Sequence, residues 1–177
     1  MPNIPRRLRN RPVYKGMPVP ANTMWLDGVP DFATIDQKEG LRLSTSRKCA
    51  LCGQRMRGQV AFIASSRVMA AEQPVFRDGP MHEECARYSF EICPMVSGEH
   101  MEYRADSVTD AKYKDKVKII KDNQMQLSTA HDPRVLPPVD MMMLLTDGWE
   151  LKELSGMPLY VPSPGIVVDV LKEKGGK

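Results

Sequence analysis

The chain has 177 residues, of which 42% are hydrophobic and only 6% aromatic, with a formal net charge of +3. This length fits one domain with tails, and the small number of large apolar side chains favours an added staple such as a structural metal. The composition excludes a membrane-spanning run, and the basic N-terminus is not followed by the apolar stretch of a secretory signal. We therefore expect a cytoplasmic protein with no membrane partner, in which the cysteines stay reduced.

Residues 1–24 form a basic, proline-rich segment that we expect to be an extended arm. Residues 1–20 hold no acid, and their cations are Arg6, Arg7, Arg9, Arg11 and Lys15. Arginines at this density favour contact with phosphate groups, so these five side chains are candidate contacts to a nucleic acid or to a protein partner. The alternative is an arm that lies along the protein itself or along a neighbouring subunit.

Residues 25–98 contain the predicted folded core. The segment from Asn22 to Gln37 has an Asp-Gly turn, and we expect it to be a short irregular lead-in. Gln59–Ser66 is apolar with β-branched and aromatic members, which predicts a strand. Pro80 predicts the start of a helix, because its missing amide donor costs nothing in the first turn. We expect Pro94 to end this helix.

Residues 99–177 are expected to pack on the core. The predicted elements are, in chain order, a charged helix Lys112–Lys121, a loop Ser128–Asp140, a hairpin Met141–Leu154 around an Asp-Gly turn, and a short strand Leu159–Val161. A last helix is expected after them, with Ser163 as its cap and Pro164 in its first position.

Two pairs of metal-ligating residues have the same spacing in the core. Two residues separate Cys49 from Cys52, and two separate His82 from Cys85. A tight turn brings the first pair to one ion, and the second pair shares a helix face because positions i and i+3 do so. Thiolate and imidazole are the ligands of structural zinc, so these four residues predict one tetrahedral Zn²⁺ site. Cys93 lies eight residues after Cys85, about 12 Å along a helix, and is assigned to the core.

Two other interpretations of these cysteines stay open. One is a disulfide or redox pair between Cys49 and Cys52, which lacks the strand-then-helix context of such motifs. The other is a set of unpartnered core thiols. The order of cysteine knuckle, β structure and helix over about Arg47–Ile92 resembles the treble-clef class of zinc fingers. This resemblance implies an α+β fold with a small treble-clef-like zinc core, β-hairpins and a few short helices.

The strings GMPVP, PDFATID, CALCG, AFIAS and GPMHEECARYSFEICP, between Gly16 and Pro94, carry a wider resemblance. They are similar to a family of small, uncharacterised zinc-binding proteins of actinobacteria and bacteriophages. This chain departs from the family at Ser65–Val68, where such proteins often have Gly-Pro-Met-Cys, and at Met95, where they usually have Phe. The resemblance implies a phage-like origin and a zinc fold, and it brings no known activity.

We expect a non-catalytic, zinc-stabilised accessory protein of phage type that binds a macromolecular partner, a host or phage protein or a nucleic acid. Four protein ligands favour a structural ion, since catalytic zinc keeps a position open for water. One alternative is a metal-dependent nuclease, but residues 53–81 lack the histidine that treble-clef nucleases use, leaving His131 beside Asp132 as the candidate acid–base pair. The other is a virion or assembly component, which would form a defined oligomer.

Overall fold

The computed structural model describes residues 3–97, 141–154 and 157–170, and they form the α+β fold that the sequence predicts. The strands are β1 Val13–Tyr14, β2 Met17–Pro18, β3 Thr23–Leu26, β4 Val29–Ile35, β5 Val60–Ser65, β6 Met141–Thr146, β7 Trp149–Leu154, β8 Met157–Pro162 and β9 Gly165–Val168. The helices are α1 Gln37–Thr45, α2 Ser66–Met69, α3 Glu83–Ile92 and α4 Pro94–Ser97, preceded by a 3-10 turn at Arg6–Leu8. No helix within the described ranges is long and apolar enough to cross a membrane.

The largest sheet of the described chain has the strand order β5-β6-β9, and both pairings are antiparallel. The strand predicted at Gln59–Ser66 is confirmed as β5, in which Val60 to Ile63 are all buried. The middle strand β6 places Leu144 opposite Phe62. Helix α3 packs against strand β5 of this apolar sheet.

The two strands predicted around the Asp147-Gly148 turn exist as β6 and β7, but the prediction that they pair as a hairpin is wrong. β6 is hydrogen-bonded to β5 on one side and to β9 on the other, so neither of its edges is open to β7. β7 pairs instead with β8, where Trp149 lies opposite Pro162. The strand predicted at Leu159–Val161 is confirmed within β8. The Asp-Gly turn thus passes the chain from one sheet to another.

The prediction of a last helix starting at Pro164 is wrong, because the chain after it forms β9. The three residues that follow Gly165 are β-branched and favour a pleated surface. Gly165 also allows a close approach, since a Cβ at this position would collide with the carbonyl oxygen of Leu145 in β6. The helix predicted at 112–121 and the loop predicted at 128–140 lie outside the described residues.

Most of the large aromatic contacts in the core converge on Phe62. Its ring centroid lies 4.9 Å from that of Phe76, 6.2 Å from that of Tyr160 and 6.4 Å from that of Trp149. Phe76 and Tyr160 also exchange two backbone hydrogen bonds of 2.9 Å, which join the loop before α3 to β8. A small number of aromatic residues therefore connects the two main sheets at one point.

The N-terminal segment is folded against the core, so the expectation of an extended arm is wrong for residues 3–24. Leu8 and Val19 are buried. β1 and β2 form a short antiparallel hairpin, and the backbone amide of Ala21 then donates to the carbonyl of Leu51 at 2.8 Å. The prolines do not prevent this, because β1 and β2 are two residues long and need few amide donors.

The segment predicted as an irregular lead-in contains a second hairpin, formed by β3 and β4. Its turn residues Asp27 and Gly28 have φ of 50° and 79°, so the predicted Asp-Gly turn is confirmed. Lys15 and Gly16 connect β1 to β2 with nearly the same angles, 49° and 80°. Two residues with positive φ make the type I′ turn that matches the twist of paired strands.

Candidate metal centre

The first cysteine pair lies on a tight knuckle between α1 and β5. The amide of Cys49 donates to the carbonyl of Gln54 at 2.9 Å, and the amide of Gly53 donates to the carbonyl of Cys49 at 2.9 Å. Gly53 has a φ of 73°, a left-handed conformation that a side chain strains, which explains a glycine directly after Cys52. These bonds close the loop and turn both sulfurs to the same side.

The second pair lies where the chain leaves the sheet and enters α3. Met81 exchanges two backbone hydrogen bonds with Ala61 of β5, at 2.8 and 2.9 Å. This pairing holds residues 80–81 extended, so the prediction that Pro80 starts the helix is wrong. His82 is the N-cap residue of α3, and Cys85 lies in its first turn. His82 and Cys85 therefore lie on the same side of α3 as its N-cap residue and a residue of its first turn, and not as two helical residues.

The structure brings the four predicted ligands together. One ligand atom from each of Cys49, Cys52, His82 and Cys85 lies within 4.8 Å of all the others. Cys52 Sγ and His82 Nδ1 lie 3.4 Å apart. Zinc–sulfur bonds of about 2.3 Å give a tetrahedron with edges of about 3.8 Å, so small adjustments would close the cluster around one ion. The donor set is soft and fits zinc better than magnesium or calcium.

Backbone amides point at two of the sulfurs. Cys49 Sγ accepts from the amides of Cys52 and His82, both at 3.5 Å, and Cys52 Sγ accepts from the amide of Gln54 at 3.5 Å. Such donors favour the charged thiolate over the thiol. These amides would therefore stabilise the negatively charged thiolates that bind a metal cation.

The imidazole of His82 is oriented by its second nitrogen. Its Nε2 lies 3.3 Å from the carbonyl oxygen of Arg55, and its Nδ1 faces Cys52. A carbonyl only accepts, so this contact assigns the proton to Nε2 and leaves the lone pair of Nδ1 for a metal. Metal-bound histidines commonly donate their other N–H in this way.

Burial and the hydrogen bonds around the thiols shift the pKa values of Cys49 and Cys85 in opposite directions. Burial opposes ionisation of Cys49, but hydrogen bonds from the Cys52 and Cys85 thiols and from backbone amides hold its pKa well below the usual value. Hydrogen bonds to Cys49 and Cys52, together with burial, raise the pKa of Cys85. Without a cation, therefore, this cluster resists carrying three negative charges. A divalent ion would remove that conflict.

The predicted basic contacts have different environments. Arg7 forms an ion pair with Glu84 of α3, and its carbonyl accepts from the side-chain amide of Gln54 at 3.1 Å. Arg11 donates to the carbonyls of Val19 and Pro20 at 2.9 and 3.2 Å. Burial lowers the pKa of Arg11, and the charge of the nearby Cys52 acts in the opposite direction. The remaining three predicted contacts, Arg6, Arg9 and Lys15, have exposed side chains.

Gln54 is a residue that sequence reasoning missed. It follows Gly53 of the knuckle, and it joins the N-terminal segment to the ligand cluster through both its side chain and its backbone. No spacing or composition signal marks it, because its partner Arg7 is 47 residues away. Cys93 is the C-cap residue of α3 and is not part of the ligand cluster.

A scan against family models and searches of curated proteins and solved structures found no match to the chain.

Proposed function

We propose that Cys49, Cys52, His82 and Cys85 hold one structural Zn²⁺ in a treble-clef-like core. The observation that carries this proposal is the convergence of three thiols and one imidazole within 4.8 Å. The ligand atoms come from a knuckle and from the start of a helix, with β5 between them along the chain. This element order is the one that the treble-clef resemblance implies.

In this proposal the metal stabilises the fold and does not react. All four positions of a tetrahedron are taken by protein ligands, whereas catalytic zinc keeps one for water. The three cysteine ligands are buried. Zinc with three thiolates and a neutral imidazole carries one net negative charge, and the guanidinium of Arg11 lies close enough to Cys52 to offset part of it.

We propose further that the protein acts as a phage-type accessory factor by binding a macromolecular partner. The resemblance of Gly16–Pro94 to phage and actinobacterial proteins supports the origin, and the exposed cations of the N-terminal segment support a binding role. The zinc core would then serve as a rigid base on which the N-terminal hairpins are displayed.

The test begins with metal content. Protein purified without chelator is expected to hold one zinc per chain by elemental analysis, and cobalt substitution is expected to give the visible spectrum of a tetrahedral thiolate site. A pull-down from host lysate, with and without nuclease treatment, then identifies the class of partner. Absence of stoichiometric zinc would overturn the metal centre, and metal-dependent cleavage of a nucleic acid would overturn the non-catalytic role.

A further inference from the structure

The two N-terminal hairpins bring aromatic and basic side chains together at the surface. The rings of Tyr14 in β1 and Phe32 in β4 have centroids 6.3 Å apart, and the ammonium of Lys15 lies 5.4 Å from the centroid of the Tyr14 ring. Phe32 is 43% exposed, and Trp25 in the same hairpin is 44% exposed. We call Tyr14, Lys15 and Phe32 the aromatic–basic face.

The exposure of these rings distinguishes them from the core. Phe62 and Tyr160 are almost completely buried, whereas the rings of Trp25 and Phe32 keep nearly half of their surface in contact with solvent. Phe32 also forms part of the wall of a cavity of about 240 Å³ whose lining is mostly apolar. A flat group stacked on Phe32 would therefore have space beside the ring.

The first hairpin and the segment before it carry only cations, whereas the second hairpin, which holds Phe32, carries Asp27 and Asp31. From residue 3 to residue 26 every charged side chain is a cation. Arg7 is paired with Glu84, and Arg11 is bonded to backbone carbonyls. Arg9 donates to the carbonyl of Ile4 at 3.3 Å but stays exposed, as do Arg6 and Lys15. Lys15, which lies over the Tyr14 ring, is the cation of this segment placed to meet the phosphates of a strand bound on the rings.

Lys15 occupies a position that suits another residue better. Its φ of 49° is a left-handed conformation, which costs an L-residue roughly 1–2 kcal/mol and which glycine or asparagine adopts more easily. A lysine at this turn therefore lowers stability and places a charge beside the half-buried ring of Tyr14. Asp27 has nearly the same φ in the second hairpin, so the turn type sets this conformation, and it is the charge of Lys15 that supports a binding role.

We infer that the aromatic–basic face binds single-stranded nucleic acid, with bases stacked on Tyr14 and Phe32 and phosphates near Lys15. Stacking platforms combined with cations are the means by which proteins bind single strands without reading sequence. A duplex fits less well, because its bases are already stacked on each other. The inference deepens the proposed partner-binding role, and a protein partner on this face is the competing outcome.

The test is fluorescence anisotropy of a labelled oligothymidine at low salt, compared with a duplex and with an abasic strand of the same length. We expect the single strand to bind best, and the abasic strand to bind at least about fivefold more weakly because it cannot stack. Tyr14→Leu and Phe32→Leu are each expected to weaken binding about fivefold or more, since leucine keeps the apolar contact and removes the flat ring. Ile166→Ala, on the exposed strand β9, is the matched control and should bind like the wild type.

Lys15→Gly removes the charge of Lys15 without destabilising the fold. Glycine suits the positive φ, so this variant should be at least as stable as the wild type while its salt dependence of binding falls by about 0.7 in the log–log slope. Lys38→Gln, an exposed lysine on α1, should leave the slope unchanged.

Three binding results would overturn the inference. They are equal binding of the abasic strand, preference for the duplex, and binding that does not change with the Tyr14 and Phe32 substitutions. Capture of a protein that survives nuclease treatment and is lost with those substitutions would also overturn it. Zinc content is measured in every sample, because loss of zinc from the wild type would overturn the metal centre whatever the binding result.

Discussion

Cys49 accepts hydrogen bonds at its sulfur from the amides of Cys52 and His82, while the ring of His82 is held by the carbonyl of Arg55. These backbone groups decide which atom of each side chain faces the position that a metal ion would occupy. Residue type and spacing identify the ligands, but the orienting contacts come from residues that carry no chemical signal of their own. At the scale of single residues, the site therefore depends on local backbone geometry as much as on its four side chains.

Cys85 in α3 and Cys93 at its C-cap offer a matched test of the ligand assignment. Cys85→Ser is expected to weaken zinc binding by more than about 100-fold, because even partners of ligands contribute about 10–100-fold. Cys93→Ser should retain one zinc per chain, since Cys93 is outside the cluster. The measurement is zinc affinity by competition with a chromophoric chelator. Equal zinc loss in both variants would contradict the assignment.

At the scale of elements, the N-terminal segment is hydrogen-bonded to the knuckle that carries Cys49 and Cys52. Besides the Gln54 contacts, the amides of Ala21 and Asn22 donate to the carbonyls of Leu51 and Ala50. Leu8 then fills a buried position in the core cluster. The basic segment is thus a part of the folded unit, and three of its arginines, Arg7, Arg9 and Arg11, bond to groups of the protein itself.

Leu8→Ala tests this docking. Removal of a buried leucine side chain is expected to lower the free energy of unfolding by about 2–4 kcal/mol. Val13→Ala, in the same segment but 61% exposed, should change it by less than about 0.5 kcal/mol. Both values come from urea denaturation of the zinc-loaded protein. If the segment were a free arm, the two substitutions would have the same small effect.

The pairing of β9 with β6 makes a second prediction at this scale. Gly165→Ala is expected to destabilise the protein by about 2 kcal/mol or more, because the added Cβ meets the backbone of Leu145. Gly148→Ala is the control, since its Cβ would make only an ordinary contact of 3.5 Å with Ser163 Oγ. Thermal unfolding of the two variants compares them directly. A tolerated alanine at 165 would favour the helix that the sequence predicts there.

For the whole molecule, metal binding is expected to be coupled to protons. In the metal-free protein the raised pKa of Cys85 keeps this thiol protonated at neutral pH, and zinc binds the thiolate. Binding therefore releases at least this proton, so zinc affinity should increase as the pH rises and weaken as it falls. Calorimetric titration in buffers of different ionisation enthalpy measures the release. An affinity that does not change with pH would contradict the coupling.

Two functional alternatives at the same scale stay predictions. His131 and Asp132, the candidate acid–base pair of a nuclease, lie outside the described residues. Within the described part of the chain, His82 is the one histidine, and it belongs to the ligand cluster. The virion or assembly role is tested by the mass of the protein in solution.

The sequence by itself determined the elements that depend on local chemistry. The spacing of Cys49, Cys52, His82 and Cys85 indicated one cluster, the apolar run after Gln59 indicated β5, and the Asp-Gly pair at 27–28 indicated a turn. Each of these signals is contained within a few residues, or in the case of the cluster within two short motifs whose ligand chemistry is restrictive. These local signals survive in the folded chain. The equally local signals at Pro80, Asp147-Gly148 and Pro164 do not, because strand pairing between distant segments competes with them.

Only the tertiary structure decided which elements pair and where the basic segment lies. β6 pairs with β5 and β9 because the burial of Phe62 and its neighbours needs a continuous apolar sheet, and no local turn signal encodes that choice. Likewise, the contact of Tyr14 with Phe32 joins residues from two hairpins. Such contacts form between residues distant in sequence, so they follow from the packing of the whole chain.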